Sequence, residues 1–209
     1  RSIAHHEPDR LPITFDAERE VKDTLKRHFG IETDEELWRA LHIDTRLVGA
    51  DHGDPRQGRR DGIDFNYWGV GSGQVEYGFG KMYDICRHPL SGAETIEDIE
   101  EYRWPAPGEI SFETLRAARK RCPDKAIIAY FCHGGYFTGT EMRGMERFLM
   151  DIAEKPAFAA RIIDKVCGYI FPALERLCNE AGEAFDIFYI ADDFCTSNGP
   201  LVSPAFFRA

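Results

Sequence analysis

The chain has 209 residues, 43% of them hydrophobic, and a formal net charge of −10 at pH 7. That apolar content supports a core and excludes a disordered chain, while the acidic balance excludes a general nucleic-acid or anionic-membrane binder, which needs a net basic face. Apolar runs are only a few residues long, short of the roughly 20 that a membrane helix needs, and no charged-then-apolar leader opens the chain, so a cytoplasmic location is expected.

Residues 11–15 read as a short strand, with Pro8 and Pro12 both excluding helix. Asp16 is expected to cap a helix that carries Val21, Leu25 and Phe29 on one face and stops at Gly30. Thr33 and Glu36 form a capping box for a second helix to about residue 41, and Asp44 leads into a strand at Leu47 and Val48. Residues 51–90 change character: a polar, Gly- and Arg-rich half is followed by Phe65, Tyr67, Trp68, Tyr77 and Phe79 among glycines. This predicts hairpins and a long loop excursion, either covering a pocket or packing on the body.

Thr95 and Asp98 start a short helix, and Ser111 is expected to cap another running to Arg121. Residues 126–132 form an apolar strand that ends in His133-Gly-Gly-Tyr136. Residues 141–153 are amphipathic. Residues 156–181 predict a long helix with Phe158, Ile162, Val166, Ile170, Ala173, Leu174 and Leu177 inward and a bend near Pro172. Residues 187–191 are wholly apolar, the pattern of a strand buried on both faces in a parallel sheet. That run breaks on Asp192, Asp193 and Cys195, and Ser203-Pro204 then supplies an N-cap and a first helical residue.

Two apolar runs thus end in titratable groups and a turn, and in α/β folds ligands bind at the C-terminal ends of strands. Hydrogen bonding within the turn is the competing explanation for Asp192, Asp193 and Ser197. Strands alternating with helices argue for one α/β domain over residues 1–209 with parallel strands. The six cysteines include no C-x-x-C pair and read as reduced intracellular thiols.

Several separated segments, in order along the chain, together resemble the uroporphyrinogen decarboxylase superfamily, which includes the corrinoid-dependent methyltransferases. They are His6-Glu-Pro-Asp-Arg-Leu-Pro12, Leu41-His-Ile-Asp44, His88-Pro-Leu90 through Trp104-Pro105, Arg143-Gly-x-Glu146 with Phe148-Leu-Met-Asp151, and Asp192-Asp-Phe-Cys-Thr-Ser-Asn-Gly-Pro-Leu-Val-Ser-Pro204. The resemblance implies a TIM-type (β/α)8 barrel with its site at the C-terminal mouth. The barrel normally needs about 250 residues, so this chain is expected to be an incomplete, N-terminal portion of one.

By the resemblance, Asp44 matches the decarboxylases' aspartate that hydrogen-bonds pyrrole N–H groups, and Asp193 falls where they carry a functional Ser. Asp192, Asp193 and Asp44 are therefore the catalytic candidates; His133, Tyr136, Cys195, Ser197 and Asn198 are substrate-binding candidates. Cys195 stands where the family usually has Gly, and Ser197 where it usually has Gln. The true decarboxylases bind a polycarboxylate tetrapyrrole with an Arg-rich segment near the first strand, where this chain has Asp16-Ala-Glu-Arg-Glu20. An acidic segment repels such a substrate, so the methyltransferase branch is the nearer one.

That branch implies a small-molecule methyl donor, a corrinoid (cobalamin) carried by a separate protein, and zinc held by a His-x-Cys pair and a later Cys. No His-x-Cys occurs here, the nearest approach being adjacent Cys132-His133, so no metal site is expected from these residues and zinc would be completed beyond them. The alternatives are decarboxylation of a tetrapyrrole, as in porphyrin biosynthesis, and a non-catalytic barrel fragment that binds a ligand or partner. An open sheet edge would favour a homodimer.

Overall fold

The structure, a computed structural model, describes residues 2–54, 56–78 and 80–208. Phe79, one of the aromatics of residues 51–90, and Ala209, the last residue of the expected C-terminal helix, lie outside them. The chain is mixed α/β and divides into two compact units, each assembled from separated segments.

The first unit comprises the residues up to Ala50, Phe112–Tyr130 and Glu180–Tyr189. Helix α1 (Arg19–Phe29) ends as expected at Gly30, whose φ of 67° lets its N–H and that of Ile31 close back on the carbonyls of Arg27 and Lys26. Its start is different: Glu18 is the N-cap, without a side-chain bond, and the Asp16 carboxylate accepts only from the neighbouring Ala17 N–H. Helix α2 (Asp34–Ala40) carries the predicted reciprocal box, Glu36 N–H donating to Thr33 Oγ1 at 3.2 Å and Thr33 N–H to Glu36 Oε2 at 2.9 Å. Residues 11–15 join no sheet. Pro12 has no N–H to give a ladder, and the Ile13 N–H and carbonyl are taken by the carboxylate and N–H of Asp44.

Strand β1 (Thr45–Gly49) pairs in parallel with β6 (Ala126–His133), Thr45 opposite Ala126 and Gly49 opposite Tyr130. The order in this three-stranded sheet is β1-β6-β7, with β7 spanning Ile187–Ala191. The sheet is open rather than closed into a barrel. Helix α4 (Glu113–Arg121) packs on it, N-capped at Phe112; Ser111 instead exchanges backbone bonds with Asp51, so it is not the cap. Buried Arg46 grips Glu35 through Nε and Nη2 at 2.8 and 2.9 Å and so ties β1 to α2. This two-pronged contact holds the Glu35 carboxyl below its usual range.

The second unit comprises Asp51–Ser111, Phe131–Asn179 and the described residues from Ile190 onward. Residues 58–87 form an antiparallel sheet in the order β2 (Gly58–Arg60), β3 (Ile63–Phe65), β4 (Gly71–Tyr77) and β5 (Gly80–Arg87). Its aromatics divide: Tyr67 and Trp68 join the core, while Tyr77 and Tyr83 are exposed. Behind them His52 stacks on Tyr67, ring centroids 3.6 Å apart, and its Nδ1 lies 2.5 Å from the Tyr169 hydroxyl.

Helix α3 (Ile96–Glu101) has the expected Thr95–Asp98 box. The amphipathic stretch at 141–153 is broken by Gly144 (φ 89°), which ends α5 (Gly135–Arg143) and starts α6 (Met145–Glu154). Arg143 is buried and donates to Asp151 at 2.7 Å and to the carbonyls of Leu90 and Ala93 at 2.7 and 2.6 Å. Helix α7 (Pro156–Ala181) runs unbroken through Pro172 and buries Phe158, Ile162, Val166, Ile170, Ala173 and Leu177 as the spacing predicts, while Leu174 is only half-buried. A tight hairpin pairs β8 (Cys195–Thr196) with β9 (Gly199–Pro200), and α8 (Pro204–Phe207) begins at the predicted proline. Among the described residues no helix is long and apolar enough to cross a membrane.

The expectation that residues 187–191 are buried on both faces is not met. Ile187, Phe188 and Tyr189 are 39%, 53% and 47% exposed, because β7 is an edge of the sheet and not an inner strand.

Candidate functional site

The ends of β6 and β7 meet in the second unit. Gly134 N–H donates to the Ala191 carbonyl at 2.7 Å, one residue beyond the end of β6. The next residue along from Ala191, Asp192, turns its carboxylate onto the start of α5, accepting from Tyr136 N–H at 3.2 Å and Phe137 N–H at 2.6 Å. These are orphan donors of a helix's first turn, and a carboxylate there also meets the positive end of the helix dipole. The geometry requires the glycine pair. A Cβ on Gly134 would lie 2.2 Å from Asp192 Oδ2, and one on Gly135 would lie 3.0 Å from Cys167 Sγ.

Around this junction lies a cavity of about 610 Å³, lined by Gly135, Tyr136 and Asp192, by Phe194, Val202 and Phe207 after β7, and by one face of α6 and α7 from Ile152 to Cys167. Its walls are mainly apolar. The short side chains Ala157, Ala159 and Ala160 in the first turns of α7 leave the room.

Tyr136 is 5% exposed, and its buried hydroxyl has no hydrogen-bond partner among the described residues. Burial pushes that hydroxyl's pKa up, and the negative charges of Asp192 and Asp193 push it further. Burial likewise raises the Cys132 thiol to about 12, with Asp192 and Cys167 adding to the effect. Cys167 is raised in the same way, first by burial. In both thiols burial favours the protonated form over the thiolate that would act as a nucleophile. What the arrangement offers is a fixed carboxylate, a protonated phenol and aromatic surface: the means to bind and orient a ligand.

The structure brings together Asp192 and Tyr136 of the candidate residues. His133 closes β6, half-buried, with its ring edge-on to Phe137 and Nδ1 3.9 Å from Glu141 Oε2. Asp193 is exposed. Cys195, Ser197 and Asn198 belong to the exposed β8–β9 hairpin and do not line the cavity; the Asn198 N–H donates to Thr196 Oγ1 at 3.2 Å, a bond local to the turn.

Asp44 is elsewhere. It precedes β1, at the N-terminal end of that strand, where Arg10 holds it through Nη1 and Nη2 at 2.8 and 2.7 Å and Ile13 N–H donates at 2.8 Å. The Ile13 N–H first, and Arg10 with it, keep the Asp44 carboxyl below its usual range. Asp44 does border a different cavity, of about 620 Å³ in the first unit, with Arg10, Asp124 and Ile187 among its walls.

Phe194, Phe207 and Cys167 went unrecognised as wall residues in the sequence. The usable signal was α7's recurrence of small or compact residues at 156, 160, 163 and 167, one helical face opposite a Gly-Gly turn. Among the described residues no three His, Cys, Asp or Glu side chains stand together as metal ligands. No protein-family model matches the chain, and neither a curated protein nor a solved structure matches it.

Proposed function

We propose that this chain is part of a (β/α)8-type barrel enzyme akin to the uroporphyrinogen decarboxylase superfamily, nearer its corrinoid-dependent methyltransferases, and that it binds a small methyl donor in the cavity beside Asp192. The observation that carries this reading is the joining of two parallel strand ends, β6 and β7, through the Asp192 carboxylate at the rim of a 610 Å³ cavity. Strand ends of this kind are where α/β enzymes place their ligands.

The character of the wall favours methyl transfer over decarboxylation. Among the described residues its lining includes no Lys, Arg or His and one Asp, a poor match for a tetrapyrrole bearing many carboxylates. Asp44, the residue expected to meet pyrrole N–H groups, already has its carboxylate occupied by Arg10 and Ile13.

A corrinoid on a separate, cytoplasmic partner protein would accept the methyl group, and the demethylated donor would leave the cavity. Among the described residues no three His, Cys, Asp or Glu side chains stand together to hold zinc. The chain's own part is to hold the donor against an apolar wall, with the Asp192 carboxylate fixed by the first N–H groups of α5.

The test is spectroscopic. Purified protein should convert cob(I)alamin to methylcobalamin with a simple methyl donor and release no CO₂ from uroporphyrinogen. CO₂ release without methyl transfer would replace this reading by the decarboxylase, and neither reaction would leave a ligand-binding barrel portion without turnover.

A further inference from the structure

Three aromatic rings of the cavity wall are contiguous. The Tyr136 and Phe194 centroids are 5.6 Å apart, and those of Phe194 and Phe207 are 4.7 Å apart and edge-on. All three rings line the same space as Asp192, and among the described residues no Lys, Arg or His joins them. We propose that this cavity recognises a small alkylated ammonium ion, its cationic head set against Tyr136, Phe194 and Phe207 with the Asp192 carboxylate as counter-charge.

The chemistry follows from what each wall can offer. Aromatic faces attract a cation through their quadrupole, and a diffuse ammonium with alkyl substituents loses less hydration on entering an apolar space than a compact ion does. A carboxylate engaged by backbone N–H groups keeps lone pairs to spare. The positive end of α5 offsets part of its charge. Asp192 is the one charged side chain among the described residues of the lining. An anion would find no cationic partner here. The volume of about 610 Å³ exceeds what the head group fills and leaves room for an attached chain.

This assignment rests on the methyl-transfer reading for its meaning, since it names the class of the donor, but its test requires no turnover. Choline and its uncharged carbon isostere, 3,3-dimethylbutan-1-ol, are titrated calorimetrically into the purified protein. Choline should bind about tenfold tighter or more. Phe194→Leu should weaken choline about tenfold while changing the isostere by less than about threefold. Phe207→Ala, at an exposed ring that carries little of the core, should move choline in the same direction.

Equal binding of the two probes, binding of neither, or an equal loss of both on Phe194→Leu overturns the assignment. Methylation of cob(I)alamin from a donor outside this class, with no choline binding, would sink the assignment and leave the methyl-transfer reading standing. Choline binding without methyl transfer would do the reverse.

Discussion

Strands β6 and β7 are built from the same kinds of residue and end in different surroundings. In β6, Ile127, Ala129, Phe131 and Cys132 are all 3% exposed or less; in β7, Phe188 and Tyr189 are about half exposed. β6 lies between two strands and β7 has a neighbour on one side only. An apolar run therefore reports what a strand can tolerate, and what packs on its two faces decides whether it is covered.

The sharpest test of that contrast is a matched pair of truncations. Phe131→Ala should cost about 3–5 kcal/mol, because it empties a filled site, whereas Phe188→Ala should cost less than about 1 kcal/mol. Urea midpoints of the two variants measure the difference, and similar losses would break the comparison.

The surroundings of β6 also predict a dependence on pH. His52 lies against Phe131, ring centroids 5.9 Å apart, and burial lowers its pKa to about 4 against the opposing effects of the Phe131 carbonyl and Asp51. The folded protein therefore holds His52 neutral while the unfolded chain takes up a proton near pH 6.5. Its contribution is present in full above about pH 6.5 and is lost as pH falls toward 4, roughly 3 kcal/mol in all. His52→Phe should flatten this segment of the stability profile; an unchanged slope would assign it to other groups.

At the point where the two strands join, Gly134→Ala should cost about 1–3 kcal/mol, since its Cβ would displace the Asp192 carboxylate from the α5 donors. Loss of helical signal on thermal melting, together with weakened choline binding, would show that displacement. The smallest expected effect is Phe188→Thr at the β7 edge, within about 0.5 kcal/mol because the ring is 53% exposed. A larger loss would mean that this face is covered in solution.

Several parts of the fold were legible because they are local. The boxes at Thr33 with Glu36 and at Thr95 with Asp98 close over three residues, and α7 declares its buried face through a helical period. Ser111 and Asp16 misled for the same reason: each has the right residue type for a cap, but Ser111 pairs with Asp51 and the α1 N-cap falls at Glu18. Gly144 broke an amphipathic stretch whose hydrophobic period alone reads straight through it.

The candidate site was half legible. The Gly134-Gly135 turn and the Asp192 strand end were both visible as features, yet nothing in the order of residues says that one is made to fit the other. Ser197 and Asn198 looked like ligand contacts because they follow those acids, but a tight hairpin carries them away from the cavity.

The sequence by itself determined the alternation of strands and helices, the span of α7 and β7, and the polar residues at the strand ends, because these follow from propensity and spacing within a few residues. Only the tertiary structure decided that Asp192 caps α5, that Asp44 is held by Arg10, that Arg143 is buried against the carbonyls of Leu90 and Ala93, and that three aromatic rings share one cavity. Each of these joins groups far apart in the chain, and a contact of that kind is set by how the elements pack, which no short window of residues encodes.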